Sequence, residues 1–520
     1  MRTATLVLAV WVSSISGSVA GQDVLTWHND VARTGQNLGE SVLTPANVNT
    51  KTFGKLFVIA VDGKVDAEPL YVHGLQMPNR GTRNVLFVAT EHDSVYAFDA
   101  DSGQEFWHVR LLGRGETTSD NRNCSQITPE IGITATPVID RHQGQHGVLY
   151  TVAMTKDAQG HYRHRLHALD LQSGAEQLGS PMEIAATYPD APAFDPKQYA
   201  ERAALLLVNR TLYLTWTSHC DIGRYNGWVM AYDASTLKQR SVLNLTPNGD
   251  EGAIWQSGAG PAADSQANVY VMLANGDFDT TLNARGFPAK SDFGNSFIKI
   301  NEIKGRLQVA DYFTMFDVQT ENDNDGDLGS GGPLVLPDMV DANGKVRHLV
   351  VGAGKDLNIY LLDREAMGKF SAKQNSIYQE LPKAFKHSFA RPIPAYFNGS
   401  LYYASTEDPL RQYRFRNARL LPEPASQTSI KFVYPGASPS ISANGTRNGI
   451  VWVLENKDPA VLHAYDANDL SRELYNSDQP WFGRDHFGSG NKFITPMIAN
   501  GKVYVGTRNG VGVFGLLGNK

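Results

Sequence analysis

The chain has 520 residues, a formal charge of −6 from 47 basic and 53 acidic side chains, and 2 cysteines. The charges are scattered, which excludes a nucleic-acid-binding face, because that needs a clustered basic surface. Beyond the N-terminus no apolar run is long enough for a transmembrane segment, and the lack of a Cys-x-x-Cys-His string excludes covalent haem.

Residues 1–20 read as a secretory signal peptide. Arg2 is the n-region charge, an apolar core follows, and Ser18-Val19-Ala20 has the small residues of a cleavage site. The mature chain is therefore expected to begin near Gly21 and to be exported, periplasmic or extracellular. In such a compartment Cys124 and Cys220 can pair, two separately buried thiols being the alternative. Residues 21–50 form a polar N-terminal segment distinguished by Trp27-His28, expected to lie across a face of the rest.

From residue 51 a phrase repeats. An apolar run at 85–88 is followed by a second at 95–99, a turn at Asp101-Ser102-Gly103, and Trp107. Paired runs recur at 148–151 and 167–170, 212–214 and 230–233, and 269–271 and 297–300. They continue at 349–351 and 359–363, 401–403 and 412–415, 451–453 and 463–466, and 503–505 and 511–514. A further strand precedes seven of the eight copies, marked by Pro69, Pro137, Pro261, Pro333, Pro394, Pro439 and Pro496; Leu205 takes that place in the third. Short strands repeated without intervening helices indicate an all-β fold, an eight-bladed β-propeller of four-stranded antiparallel blades filling 51–520 as a single domain. The last copy is incomplete. Leu56-Phe57-Val58-Ile59-Ala60 is expected to supply its outer strand and close the ring, which removes exposed sheet edges. Repeat length beyond the blade core goes into loops, where function usually sits. The longest are 179–200, 276–296 and 365–390, the last expected to hold a helical turn at 365–369.

The string Ala97-x-Asp99-x-x-Ser102-Gly103-x-x-x-Trp107 resembles the tryptophan-docking motif of quinoprotein dehydrogenases. These are eight-bladed propellers that hold pyrroloquinoline quinone (PQQ) and usually Ca²⁺ on the axis. Only the first copy is complete, so this string speaks to fold rather than activity. A second match is more specific. Asp327 and Lys355 are 28 residues apart, and Lys355 opens Lys-Asp-Leu-Asn-Ile-Tyr-Leu-Leu-Asp-Arg, similar to the family's quinone-contacting phrase and its upstream catalytic aspartate. Gly252-Ala253-Ile254-Trp255 resembles the segment whose tryptophan stacks on the quinone. Leu273-Ala274-Asn275-Gly276 resembles the turn whose asparagine binds calcium, and Asp221-x-Gly223 the stretch that supplies a calcium-binding glutamate. The resemblance thus implies Asp327 as catalytic base, Trp255 and Lys355 as cofactor contacts, and Asp221, Asn275 and Asp327 as metal ligands. Oxygen donors of this kind suit Ca²⁺, an indole suits a planar ring, and an ammonium suits developing negative charge on quinone oxygens. The chain departs from the family in lacking adjacent cysteines, in having Asp at 221, and in the Asp323-Asn324-Asp325-Gly326 string before Asp327.

Taken singly, the same residues have plainer readings. Asp323, Asp325 and Asp327 form an acidic loop, Trp255 packs a blade, Asn275-Gly276 makes a turn, Lys355 is a surface charge, and His219 is a buried, satisfied histidine. Three functions follow. The first is a dehydrogenase of an alcohol, sugar or aldehyde that uses Ca²⁺ and PQQ and passes electrons to a separate soluble acceptor. The second is a non-catalytic envelope scaffold. The third is a polysaccharide hydrolase or lyase using His387, His486 and a carboxylate at the axial mouth, with Arg391 and Arg484 nearby. Nothing in the sequence specifies an oligomeric state.

Overall fold

Apolar runs that end in Asp, Asn, Ser and Gly turns fold as short antiparallel hairpins, and a computed structural model shows how these assemble. It describes residues 22–177, 179–386, 391 and 393–518; the expected signal peptide and His387 lie outside the described residues. Eight antiparallel sheets follow one another in chain order, the all-β propeller that the repeats imply. In the first, Leu70–Met77, Gly81–Ala89, Ser94–Asp99 and Glu105–Arg110 lie side by side from the axis outward. The innermost strands of the others are Val138–Asp140, Leu206–Val208, Ala262–Ala263, Leu334–Val335, Pro394–Phe397, Ser440–Asn444 and Met497–Ala499. Each proline of the sequence pattern directly precedes or opens an innermost strand. There a missing N–H costs no ladder bond.

The blades cohere through apolar layers between them. Ala97 and Trp107 of the first blade share one buried cluster with Ile139, Leu149 and Leu169 of the second. The Trp107 indole N–H donates to the Leu171 carbonyl at 3.0 Å. Gly174, at φ +70°, meets this ring so closely that a Cβ would lie 2.8 Å from it, so the turn needs glycine on both counts. Ring closure follows expectation. Phe53–Ala60 pairs antiparallel with Gly510–Leu516 as the outermost strand of the eighth blade, beginning three residues before the predicted start.

Two local expectations change. Residues 365–369 hold no helical turn, a turn at 364–365 leading into isolated bridges at Ala366 and Lys369, and the α-helix near the site is Val318–Asp323, in the loop ahead of the fifth blade. The N-terminal segment does not lie across a face. Its backbone threads the axis and bonds to the innermost strands in turn. Val24 pairs with Tyr71; Leu25 accepts from Ile139 at 2.8 Å, Val31 from Ala263 at 2.7 Å, Ala32 from Val335 at 2.9 Å, Thr34 from Tyr396 at 2.8 Å and Gly35 from Ile441 at 2.7 Å. The Asn37 amide donates to the Ile498 carbonyl at 2.9 Å. Arg33 reaches the remaining blade through the Leu205 carbonyl at 3.1 Å. Axial carbonyls and amides that would otherwise be orphaned are thereby satisfied.

Glu68 is buried beside this segment and accepts the His28 amide at 3.1 Å. Burial pushes its carboxyl up to about 8, against that hydrogen bond and the Arg33 charge, which pull the other way. Between the ordinary glutamate range and pH 8 the folded state therefore binds more protons than the unfolded chain, and stability falls as pH rises. Glu68→Gln, which mimics the neutral acid, is expected to melt above the parent at pH 8, with the difference shrinking toward pH 5. A difference that does not vary with pH would contradict this account.

Candidate functional site

In an antiparallel blade, the loop entering the innermost strand and the loop leaving its neighbour lie at the same end. Trp255, Asp327 and Arg391 are in loops of the first kind, and Asn275 and Lys355 in loops of the second. They converge on a cleft of about 240 Å³, whose lining includes all five sequence-derived residues, Asp221, Trp255, Asn275, Asp327 and Lys355. The N-terminal segment closes the axis beneath these loops, where Trp27 packs with Ala204, Ala259 and Ile393.

Asp327 is the centre of the arrangement. It is 4 % exposed, and its Oδ2 accepts the Trp255 indole N–H at 2.9 Å. Lys355 Nζ is 3.5 Å from the same oxygen and 2.7 Å from Asp325 Oδ1. The Lys355 amide also donates to the Asp327 carbonyl at 3.0 Å, so the spacing of 28 residues joins neighbouring turns of one blade. Asp327 Oδ1 is buried without a hydrogen-bond partner. Burial pushes the Asp327 carboxyl up to about 6; Lys355 and the Trp255 bond oppose this, and Asp325 and Asp221 add to it. Asn275 donates to Asp325 Oδ1 at 3.0 Å. Behind it, buried Asn295 donates to Asn322 Oδ1 at 2.9 Å and accepts from the Leu328 amide at 2.8 Å, which locks the acidic loop. These aspartates are therefore not one solvated loop, since Asp327 is buried in a network and only Asp323 and Asp325 reach solvent.

Trp255 is half-buried, edge-on to Phe493 with centroids 6.0 Å apart. The Lys355 ammonium and Arg391 guanidinium lie 6.0 and 5.7 Å from its centroid. Asp221 is more solvent-exposed and accepts from Ser218 Oγ at 2.5 Å and Tyr225 OH at 2.8 Å. The preceding residue forms the Cys124–Cys220 disulfide, with Cα atoms 5.9 Å apart, which resolves the alternatives for the two cysteines in favour of pairing. The bridge ties the loop after the first blade to the rim of the cleft, where Cys220 is part of the lining.

One carboxylate of the lining, among several lining residues, escaped the sequence analysis. Glu251 faces the cleft, and burial raises its pKa, reinforced by Asp221, Asp250, Asp277 and Asp327. Its only sequence signal is its place four residues before Trp255. By contrast, His486 pairs with Asp478 at 3.3 Å, and Arg484 donates to the Phe53 carbonyl at 3.2 Å. Both lie beside the outer strand of the eighth blade and do not line the cleft. His219 is buried with Nε2 unpartnered, and burial lowers its pKa, followed by the Arg122 charge.

Three carboxylates and an amide carbonyl around a buried, unpartnered oxygen are the donor chemistry of a hard cation. Among the described residues they are not gathered into a closed ligand cluster. The donor types of Asp221, Glu251, Asn275 and Asp327 suit a calcium-type ion, with the Asp327 Oδ1 left unpartnered and the Asn275 Oδ1 accepting from Asn295 at 3.3 Å.

No family model matches the chain, and no curated protein matches it in sequence. Solved structures do match in fold. The quinohemoprotein alcohol dehydrogenase from Comamonas testosteroni has a TM-score of 0.62 at 15 % identity, covering 96 % of this chain and 81 % of that one. The quinohemoprotein alcohol dehydrogenase ADHIIG from Pseudomonas putida HK5 scores 0.60 at 15 % identity, with coverage of 96 % and 81 %. A europium-containing methanol dehydrogenase scores 0.59 at 12 % identity, with coverage of 96 % and 99 %. The chain thus has the propeller fold of quinoprotein-type dehydrogenases. Among the described residues no helix is long and apolar enough to cross a membrane.

Proposed function

We propose that this propeller is an exported, Ca²⁺- and PQQ-dependent dehydrogenase that oxidises a substrate hydroxyl or hydrated carbonyl and passes the electrons to a separate acceptor. The observation that carries the reading is the convergence of Asp327, Lys355, Trp255 and Asn275 on one cleft, in a fold shared with quinohemoprotein dehydrogenases. When bound, the cofactor would supply a two-electron acceptor and the ion Lewis acidity. The chain's own groups account for the rest. Asp327 lines the cleft, is positioned by the Trp255 N–H, keeps an unpartnered Oδ1, and takes the hydroxyl proton. Lys355 would supply a cation to quinone oxygens as they gain negative charge. Trp255, held by Asp327, offers a ring face to a planar cofactor. Asp221, Glu251, Asn275 and Asp327 are the proposed metal ligands.

The test is a titration of the purified protein with PQQ, with and without Ca²⁺ or Eu³⁺, following absorbance and melting temperature. A ligand that binds only the folded state raises its stability by about 2.7 kcal/mol at a hundredfold excess over Kd. A metal-dependent rise is the expected result. Absence of any rise at millimolar PQQ would sink the reading and favour a scaffold without cofactor.

A further inference from the structure

Next to the cleft lies a larger chamber, of about 500 Å³, that none of the proposed redox groups occupies. Its walls include Lys64, Lys492 and Arg508, and it shares Gln126 with the cleft. Two aromatic rings tie the spaces together. Arg391 and Lys492 both stand over Tyr434, at 4.8 and 5.6 Å, and Arg391 also stands over Trp255. Arg202 stands over Phe493 at 4.7 Å, and Phe493 meets Trp255 edge-on.

Of these cations Lys492, Arg508 and Arg202 lack a close counter-charge among the described residues. Lys64 has Asp66 at 2.9 Å. Among the described residues the Lys492 ammonium donates to the Ser125 carbonyl, at 3.4 Å, and Arg508 to the Gly490 carbonyl, at 3.1 Å. Among the described residues, Arg202, Lys492 and Arg508 make no ion pair. Arg202 is 6 % exposed, and its Nε is buried without a hydrogen-bond partner. Burial lowers the Lys492 pKa, the like charges of Arg202, Lys64 and Arg391 lower it further, and Asp66 opposes them. The two wall carboxylates are held by other groups, Asp62 by Thr90 and Ser94 and Glu130 by His92 and Thr118, and among the described residues neither pairs with Lys492 or Arg508. Crowding like charges at low dielectric is costly unless an anion joins them.

We propose that this chamber is a subsite for a carboxylate or phosphate group of the substrate, so that the cleft oxidises an anionic hydroxy compound, such as a hydroxy acid, sugar acid or sugar phosphate, rather than a simple alcohol. Guanidinium and ammonium donors are the usual partners of both anions. The substrate half of the proposal rests on the redox reading of the cleft; the anion site does not.

The test is calorimetric titration of the full chain, without added metal or cofactor, with inorganic phosphate and separately with citrate, against chloride at equal ionic strength. Saturable millimolar binding is expected, weakened at least fivefold in Lys492→Met and in Arg508→Gln. Binding no stronger than chloride's, or unchanged in both variants, overturns the proposal. The titration is then repeated on protein loaded with PQQ and Ca²⁺. Retained binding supports a substrate subsite, whereas loss on loading assigns the chamber to the cofactor's own acid groups and overturns it. If PQQ fails to bind while phosphate or citrate binds in a Lys492-dependent way, the redox reading falls and the anion site stands.

Discussion

Asp327→Asn is expected to lower metal- and PQQ-dependent oxidation by about 10²–10⁴-fold, the usual contribution of a positioned general base, without unfolding the propeller. Asparagine keeps the size of the side chain and an oxygen for the Trp255 N–H, so the ring stays in place. It removes a buried charge whose other oxygen has no partner, so the melting temperature of the ligand-free protein should not fall. Lys355 keeps Asp325 at 2.7 Å and is not left unpaired. The variant should also weaken Ca²⁺ binding, because an amide carbonyl is a poorer ligand than a carboxylate. This readout needs no substrate. Full activity with unchanged Ca²⁺ affinity would remove Asp327 from the site, and a large fall in melting temperature would show that it serves the fold instead.

The site was legible to the extent that it rides on the repeat. Asp327 and Lys355 sit at fixed places on one blade, one before its innermost strand and one after the next, so their spacing in sequence becomes proximity in space. Trp255 and Asn275 occupy the same two places on the preceding blade. Glu251, Arg202 and Lys492 also lie in loops that enter an innermost strand, but no motif marks them, and place on the repeat alone does not say which loop side chains turn toward the cleft. The Cys124–Cys220 bridge, across 96 residues, is likewise unmarked by any motif. His486 was misplaced because nearness to an innermost strand in sequence does not fix the side on which a loop turns, and here the loop turns outward to Phe53 and Lys55. The prolines and the closing strand were legible because each meets a local backbone requirement. The axial path of residues 24–37 was not, since a polar segment without periodicity looks like any loop until its hydrogen bonds are counted.

That segment leads to the largest stability effect expected in the molecule. Arg33→Met should destabilise the protein by about 3–5 kcal/mol, the range found when one partner of a buried charged network is removed. Arg33 is 1 % exposed. Its guanidinium donates to the Pro261 carbonyl at 2.8 Å, Thr26 Oγ1 at 2.8 Å, the Trp27 carbonyl at 2.8 Å and the Leu205 carbonyl at 3.1 Å. It also lies over the Trp27 ring at 5.7 Å and is near the half-buried Asp30 and the buried Glu68. Methionine fills much of the space but supplies no donor, which leaves four acceptors unsatisfied on the axis. With an unfolding entropy of about 2.1 cal/mol/K per residue, a chain of this length should lose roughly 3–5 °C in Tm. Arg33→Lys, which keeps the charge but not the planar fork, should fall between the two. Hydrogen exchange should localise the loss to the innermost strands that begin at Ala262 and Leu206, because Arg33 bonds to the residues just ahead of them. A drop below about 1 °C, or loosening confined to the outer strands, would mean that the propeller closes without its axial segment and that the cleft does not depend on that floor.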